Sequence, residues 1–516
     1  MTLLARRAYP EVVEAFQWPA LWDLVDGDRH HLNLAHECVD RWPERHPALR
    51  LQFADGRRET WTFGDLAAWS SRFAHLLERT GVARGDRVAL LLEPGLPFYG
   101  ALFGTLKRGA VAVPMFTLFG PDALAPRLQD SGARRLVVAA DADPARYAFP
   151  DVTVMRLDDA LLQRLAAEPG RYAPDTAPDD LAVLQYTSGT TRALPEAVRH
   201  THRAVVTLMI AALYGLGLTP GDRYFCPSSP AWGHGLWHGT LGPLALGLAA
   251  GAYSGRFDAL RLREALEAFQ ITNLAAAPTV YRLLRESGLA DRAGLALTKL
   301  TYTGEPMDDA TWDWIAGTLG LTPCGMYGST EVGVIVVNYP GFEGYRVRRG
   351  ALGKPAPGWE VGVVDPQTLL PVPVGDVGEI AVRRKGAWFP VKDRGWLDTD
   401  GYVHHGGRSD DVIISAGWTL SAIEMEQALL THPEVREAAV VGIADPLRGQ
   451  VPQAWIVARR PATDLAEVLQ AHVRERLGRH EFPRDVQFVD ALPRTPAGKI
   501  DRHALRTRAA QREAAG

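Results

Sequence analysis

Cysteine is scarce in this chain: only Cys38, Cys226 and Cys324 among 516 residues, far apart and without the paired spacing of metal ligands. That excludes a disulfide framework and a thiolate zinc site, and it points to a reducing cytoplasm as the working compartment. An excess of charge is missing as well. The 56 basic and 60 acidic residues leave a formal net charge of -4, so no global field draws the chain to nucleic acid or to an anionic membrane. Any anionic ligand must be held locally. Long apolar runs are also lacking. Arg6 and Arg7 lead into Tyr9, Pro10 and Glu11 rather than the apolar core of a signal peptide, and the Gly-rich stretch from Gly239 to Ala252 falls short of the ~20 residues that cross a bilayer. A soluble protein without membrane insertion is expected. Neither G-x-x-x-x-G-K-[ST], nor G-x-G-x-x-G after a strand, nor H-E-x-x-H occurs, which removes the Walker, dinucleotide and metalloprotease signatures.

What is present is α/β texture without internal repeats. Phe63 to Leu77 has helical spacing, whereas Arg87 to Leu92 and Val111 to Met115 read as buried strands. Further strand-like runs at Ala182 to Tyr186 and Asn273 to Ala276 end in turn residues, where an α/β sheet presents its ligand-binding loops. Beyond residue 360 the chain turns β-rich, with strands expected at Val361 to Val364 and Glu379 to Val382. A length of 516 residues exceeds one ordinary core, so a large domain over 1–409 and a small one over 410–516 are expected. In the small domain Ser421 and Glu424 fit a capping box opening a helix with Ala422, Met425 and Leu429 on its apolar face. Strands at Ala438 to Ile443 and Ala454 to Val457 follow. Leu465, Val468, Leu469, Val473 and Leu477 then mark a second amphipathic helix.

The sharpest chemical signal is Tyr186-Thr187-Ser188-Gly189-Thr190-Thr191, placed directly after a strand. Hydroxyls around a flexible glycine, with backbone N–H groups free in the turn, make a cradle for phosphate oxygens. In isolation such a hexamer is more often a polar surface turn. Its company decides otherwise: Thr303-Gly304-Glu305, Tyr327-Gly328-Ser329-Thr330-Glu331, Asp393-Arg394-Gly395, Asp400-Gly401-Tyr402, Gly407-Arg408-Ser409-Asp410-Asp411 and Pro493 to Ile500 follow in order. Together these segments resemble the acyl-adenylate-forming superfamily of acyl-CoA synthetases, aryl-CoA ligases, luciferases and peptide-synthetase adenylation domains. The resemblance spans nearly the whole chain and is closest in flavour to medium-chain and aryl acyl-CoA synthetases.

The resemblance implies an α/β fold with a large multi-sheet N-terminal domain and a small mobile α+β C-terminal domain. It also implies that ATP and a carboxylic acid react to an acyl-adenylate, which a coenzyme A thiol then attacks. Thr187, Ser188, Gly189, Thr190 and Thr191 would hold phosphate, with Gly304, Glu305 and Tyr327 completing the nucleotide site. Glu331 would hold Mg2+, a hard cation suited to carboxylate and phosphate oxygens, and Thr330 would contact the α-phosphate. Asp393 would accept the ribose hydroxyls and Arg408 would contact the ribose or phosphate side. Lys499 would reach the reacting carboxylate and α-phosphate, stabilising charge as it builds. Asp410 matches the hinge about which the small domain rotates, and Gly417 the channel through which a pantetheine thiol enters.

Trp232 to His238 match the segment that walls the acyl pocket, with Trp232 and His234 as its rings. His234 and His238 have the i, i+4 spacing of a metal pair, as His200-Thr201-His202 could supply another. No acidic third ligand is placed by spacing, so packing or pocket roles are favoured over zinc. Gly328, where acetate- and propionate-specific members have tryptophan, leaves room for a larger acyl or aryl group. No aspartate in the pocket segment pairs an α-ammonium, which disfavours amino acids.

Two departures stand out. After Thr191 the chain runs Arg192-Ala193-Leu194-Pro195-Glu196-Ala197, with one residue inserted and Glu196 where the family has lysine. Either Arg192 supplies the missing charge or Glu196 points away from the triphosphate. Thr419 stands where many CoA-forming members have arginine, so transfer to a carrier-protein thiol, an amine or another nucleophile stays open beside CoA. A non-catalytic nucleotide-binding relative is the third alternative. Retention of Glu331, Asp393, Arg408 and Lys499 together argues against it.

Overall fold

A computed structural model describes residues 7–186, 197–288, 292–304, 307, 309–329, 332–408, 412–460, 464–493, 500 and 502–513, without the side chains at 144, 406–408, 412, 419, 423, 503 and 513. Four sheets are built from these residues. In the six-stranded sheet the order is Thr153–Arg156, Arg135–Val138, Arg87–Leu91, Val111–Pro114, Leu181–Tyr186 and Ala197–Thr201. Its first five strands run parallel and the last antiparallel. Helices cover parallel strands on both faces, so their sequences read as continuous apolar runs; Val88, Ala89, Leu90, Val111, Ala112 and Val113 are all buried. The covering helix Phe63–Arg79 starts on a complete capping box: Asp65 N–H donates to Thr62 Oγ1 and Thr62 N–H to Asp65 Oδ2.

The ten-stranded sheet carries most of the chemistry. It runs from Tyr224–Phe225 through Asn273–Ala276, Lys299–Tyr302, Pro323–Ser329, Gly333–Val337, Ala351–Pro355, Val403–Arg408, Ala387–Leu397 and Gly378–Arg384 to Val361–Val364. The pairings up to Pro323–Ser329 are parallel and the rest antiparallel, so one sheet joins the α/β half to the β-rich segment. A three-stranded sheet of Ala250–Ser254, Pro47–Phe53 and Arg58–Thr62 packs alongside. The fourth sheet, in the smaller C-terminal domain, comprises Val412–Ser415, Trp418–Ser421, Val435–Asp445, Gly449–Ala458 and Asp485–Phe488, with helices Ala422–Leu430 and Leu465–Leu477 against it. The large multi-sheet domain followed by a small one is thus the fold expected from the sequence.

Two local expectations need correction. Val468 does not share the buried stripe of its helix: it is 41% exposed while Leu465, Leu469, Val473 and Leu477 are buried. Those four recur at spacings of four, and a residue three positions after Leu465 falls on the flank of so narrow a stripe. The capping box at Ser421 is only half made. Ser421 Oγ accepts from Glu424 N–H, but the return bond runs from Ser421 N–H to Glu481, 2.9 Å away.

Glu424 is diverted because it has a stronger partner. Its carboxylate accepts two-pronged bonds of 3.2–3.3 Å from Arg127, on the large-domain helix Pro121–Ser131, and both side chains are buried. The Arg127 guanidinium also lies 4.4 Å over the Phe119 ring. Around this ion pair, Phe116 packs on Trp418 and Trp418 on His480, Gly120 N–H donates to Leu477 C=O, and Arg476 pairs with Asp122. One cluster of buried side chains therefore runs from Val113 and Leu124 into Leu420, Met425 and Leu477.

Burial, reinforced by the neighbouring Glu424 charge, raises the Glu481 carboxyl from its ordinary 4.5 to about 8, against the opposing pull of Arg127 and the Ser421 N–H. The folded protein thus keeps a proton that the unfolded chain loses, so this group's stabilising contribution is complete below about pH 4.5 and is lost as pH rises towards 8. Urea midpoints measured across that range should fall with rising pH, and Glu481→Gln, which cannot ionise, should flatten the decline; an equal slope in both proteins would contradict the assignment.

Candidate active site

Many of the residues singled out from sequence lie outside the described residues: Thr187, Ser188, Gly189, Thr190, Thr191, Arg192, Glu196, Glu305, Thr330, Glu331, Asp410 and Lys499, together with the Arg408 and Thr419 side chains. The strands that lead into two of these segments, Leu181–Tyr186 and Pro323–Ser329, are described. So are Gly304, Tyr327, Gly328, Asp393, Trp232, His234 and Gly417, and several of them meet.

Tyr327 and Asp393 are 66 residues apart in the chain, yet the tyrosine O–H donates to Asp393 Oδ2 at 2.6 Å. Asp393 is 8% exposed, stands in register with Arg408 on the next strand, and has His405 Nε2 3.9 Å from its other oxygen. A nearly buried carboxylate that accepts from a fixed phenol is well held to accept from a vicinal diol. The register breaks between Asp393 and Gly395, which turns the aspartate relative to the regular ladder.

A second convergence joins the two domains. Ala416 and Gly417 are the two central residues of the hairpin between Val412–Ser415 and Trp418–Ser421, with φ of 52° and 77°. Positive φ at both positions is the type I′ geometry that suits strand twist, and glycine adopts it without strain. The tip of this turn reaches Gly304, itself at φ +96°: a Cβ there would sit 3.0 Å from the Trp232 ring and 3.9 Å from Gly417 O. A side chain there would press on the indole and strain a backbone that glycine adopts freely.

From Trp232 a row of rings leads along the next segment. The Trp232 and His234 rings are 5.6 Å apart edge to face, and His234 and His238 are 5.8 Å apart on the π-helical stretch His234–Leu241. Ser228 Oγ lies 3.0 Å from His234 Nδ1. Trp237 Nε1–H donates to Gln185 Oε1 at 2.7 Å, and His200 packs on the Trp237 ring at 4.5 Å. Burial pushes His234 down to about 3, with His238 adding to the shift, and His238 down to about 4, so both rings are neutral at pH 7. His202 has a packing role: it is buried, and its Nδ1 accepts from Leu34 N–H at 3.0 Å. Among the described residues, no group of three His, Cys, Asp or Glu is placed to hold a metal ion.

Gly328 acquires a reason that sequence did not suggest, because a Cβ there would lie 1.8 Å from Gly333 O across the bulged pairing of Pro323–Ser329 with Gly333–Val337. Sequence reasoning also missed Gln185 and Ser228. For Gln185 a signal existed, a lone amide in the otherwise apolar or aromatic run Leu181–Tyr186. For Ser228 none did, since its role depends on a fold-level approach to His234.

Comparison with known proteins agrees with this geometry. The sequence profile of the AMP-binding enzyme family matches residues 36–388, and that of the AMP-binding enzyme C-terminal domain matches residues 424–499. The chain is 28% identical to the mitochondrial acyl-coenzyme A synthetase ACSM3 of Rattus norvegicus, covering 92% of this chain and 90% of that protein. It is 29% identical to the acetyl-coenzyme A synthetase of Bacillus subtilis, covering 96% and 94%. Its fold superposes on the amide bond synthetase McbA from Marinactinospora thermotolerans with a TM-score of 0.79 at 27% identity, covering 92% and 99%. With the larger profile matching well over half its length, the chain belongs to the AMP-binding enzyme family.

Proposed function

We propose that the protein is an AMP-forming acyl-CoA ligase for an acid larger than acetate, either a medium-chain or an aromatic one. The observation that carries this reading is the meeting of three elements at Gly304: the acyl wall at Trp232, the nucleotide-side strand ending at Tyr302, and the Ala416-Gly417 turn of the small domain. One site that faces both an acyl group and a small-domain turn suits two successive half-reactions. In the first, a carboxylate oxygen attacks the α-phosphorus of ATP and pyrophosphate leaves. In the second, a thiol attacks the acyl carbonyl, AMP leaves with the electron pair of the broken anhydride, and the thiol proton is released.

Within that scheme Asp393, held by Tyr327, binds the ribose hydroxyls, while Thr187, Ser188, Thr190, Thr191 and Thr330 contact phosphate. A Mg2+ ion bound by Glu331 and phosphate oxygens would neutralise charge on the leaving pyrophosphate, a donor set that fits a hard cation. Lys499 brings positive charge to the α-phosphate and carboxylate in the first half-reaction only. The approach of Gly417 to Gly304 favours assigning the described arrangement to the second, with the glycine turn beside the thiol path. The likeness to an amide bond synthetase keeps a second acceptor class in view, an amine or a carrier-protein thiol in place of CoA.

Tyr327→Phe should raise the KM for ATP by roughly 3- to 10-fold with a smaller change in kcat, since one bond that positions Asp393 is lost. Steady-state kinetics at saturating acid check this, and an unchanged KM contradicts the positioning role. Lys499→Ala should lower acid-dependent pyrophosphate release on the order of 100-fold or more while sparing CoA thioester formation from a supplied acyl-adenylate. Equal loss of both half-reactions would overturn the two-orientation scheme, and thiol-independent turnover to an amide would favour the second acceptor class.

A further inference from the structure

Resting on the ligase reading, we infer that the acid activated here carries a neutral hydroxyl on its acyl part, bound by His234 and His238. Both imidazoles continue the row of rings from Trp232, read here as the acyl wall, and both present a buried nitrogen without a hydrogen-bond partner, Nε2 of His234 and Nδ1 of His238. His234 is only 3% exposed. A third orphan lies on the strand Leu181–Tyr186, against Trp237 of the same helical segment. Gln185, 1% exposed, accepts from the Trp237 N–H through Oε1, and because an indole N–H is donor only, this assigns the other end of the amide as its NH2 group, which is buried and unpaired.

Buried polar atoms are almost always paired, and leaving one unpaired costs about 1–3 kcal/mol. Phenylalanine or leucine would fill the same space without that penalty. His202 Nε2 is a lone orphan on a ring already held through Nδ1, but packing alone does not account for two histidines and a glutamine with orphan atoms around one stretch. A ligand group that completes their hydrogen bonds does. Its charge is constrained. Burial alone lowers His238, and for His234 the only further cause is His238 itself, so no described carboxylate or cation stands close enough to offset a charged ligand. Among the described residues, a second carboxylate or an ammonium would therefore meet no counter-charge there. Its donor–acceptor character is constrained too. Whether His234 Nε2 donates or accepts depends on which way the Ser228 hydroxyl shares its proton with Nδ1, and a hydroxyl serves either tautomer because it can donate and accept.

The test uses matched acids with the full-length enzyme, ATP and magnesium: benzoate against its 2-, 3- and 4-hydroxy isomers, and hexanoate against 3- and 6-hydroxyhexanoate. In each assay kcat/KM is read from pyrophosphate release. At least one hydroxylated acid should exceed its parent by about 30-fold or more, since a site built around a substrate hydroxyl rejects the analogue that leaves its polar groups unpaired. His238→Phe should erase that preference by lowering kcat/KM for the hydroxylated acid while sparing or raising the parent, whereas His238→Gln, which keeps a donor and an acceptor, should retain part of it. Parents activated as well as every hydroxylated partner would overturn the inference and leave the ligase reading intact. A preference that survives His238→Phe unchanged would overturn it as well. If that variant does not fold, the wild-type comparison decides alone. No pyrophosphate from any acid would remove the ligase reading and this inference with it.

Discussion

A single guanidinium, buried between two domains and facing two acidic side chains, is the charged centre of the contact that seats the small domain. Arg127 grips Glu424 at the first turn of the helix Ala422–Leu430, and that helix follows directly on the hairpin whose tip is Ala416-Gly417. Glu481 caps the same helix start at Ser421 and stays protonated beside Glu424, so one cation suffices for both acids. A buried ion pair is weak as a source of net stability, because desolvation consumes much of its Coulomb gain; its directional bonds give it value in fixing one arrangement. Removing the arginine would leave the Glu424 carboxylate buried without its cation, a loss on the order of 3–5 kcal/mol. The same side of the small domain brings the turn to Gly304, which packs against Trp232.

The site so formed divides its electrostatics sharply. In one part stands an aspartate tied to a tyrosine, suited to accept from a diol. In the other stand indoles and neutral imidazoles from which burial has removed charge. On the proposed ligase reading, the first part accepts the ribose hydroxyls and the second walls the acyl group, which would hold the acid with its carboxylate towards the nucleotide.

Much of this was legible in the sequence because the relevant signals are local. The strands Asn273–Ala276 and Val361–Val364 have the bounds their apolar runs suggest, and Phe63–Arg79 opens on the capping residues Thr62 and Asp65. The order of the motifs identified the family. What escaped is non-local. A capping box written as Ser421 and Glu424 was broken by an arginine 297 residues away, which no window on the chain can reveal. Gly328 carries a strand-pairing constraint that spacing alone cannot distinguish from pocket room. Gln185 looked like one polar letter in a buried strand until the fold set it against Trp237.

The central claim is that acid and ATP combine to an adenylate before any thiol takes part. Exchange of labelled pyrophosphate into ATP, measured with a responsive acid and without coenzyme A, tests it most directly. Acid-dependent exchange that leaves AMP as the eventual nucleotide product is the result expected. Exchange that is absent until coenzyme A is added, or turnover that yields ADP and phosphate, would contradict it.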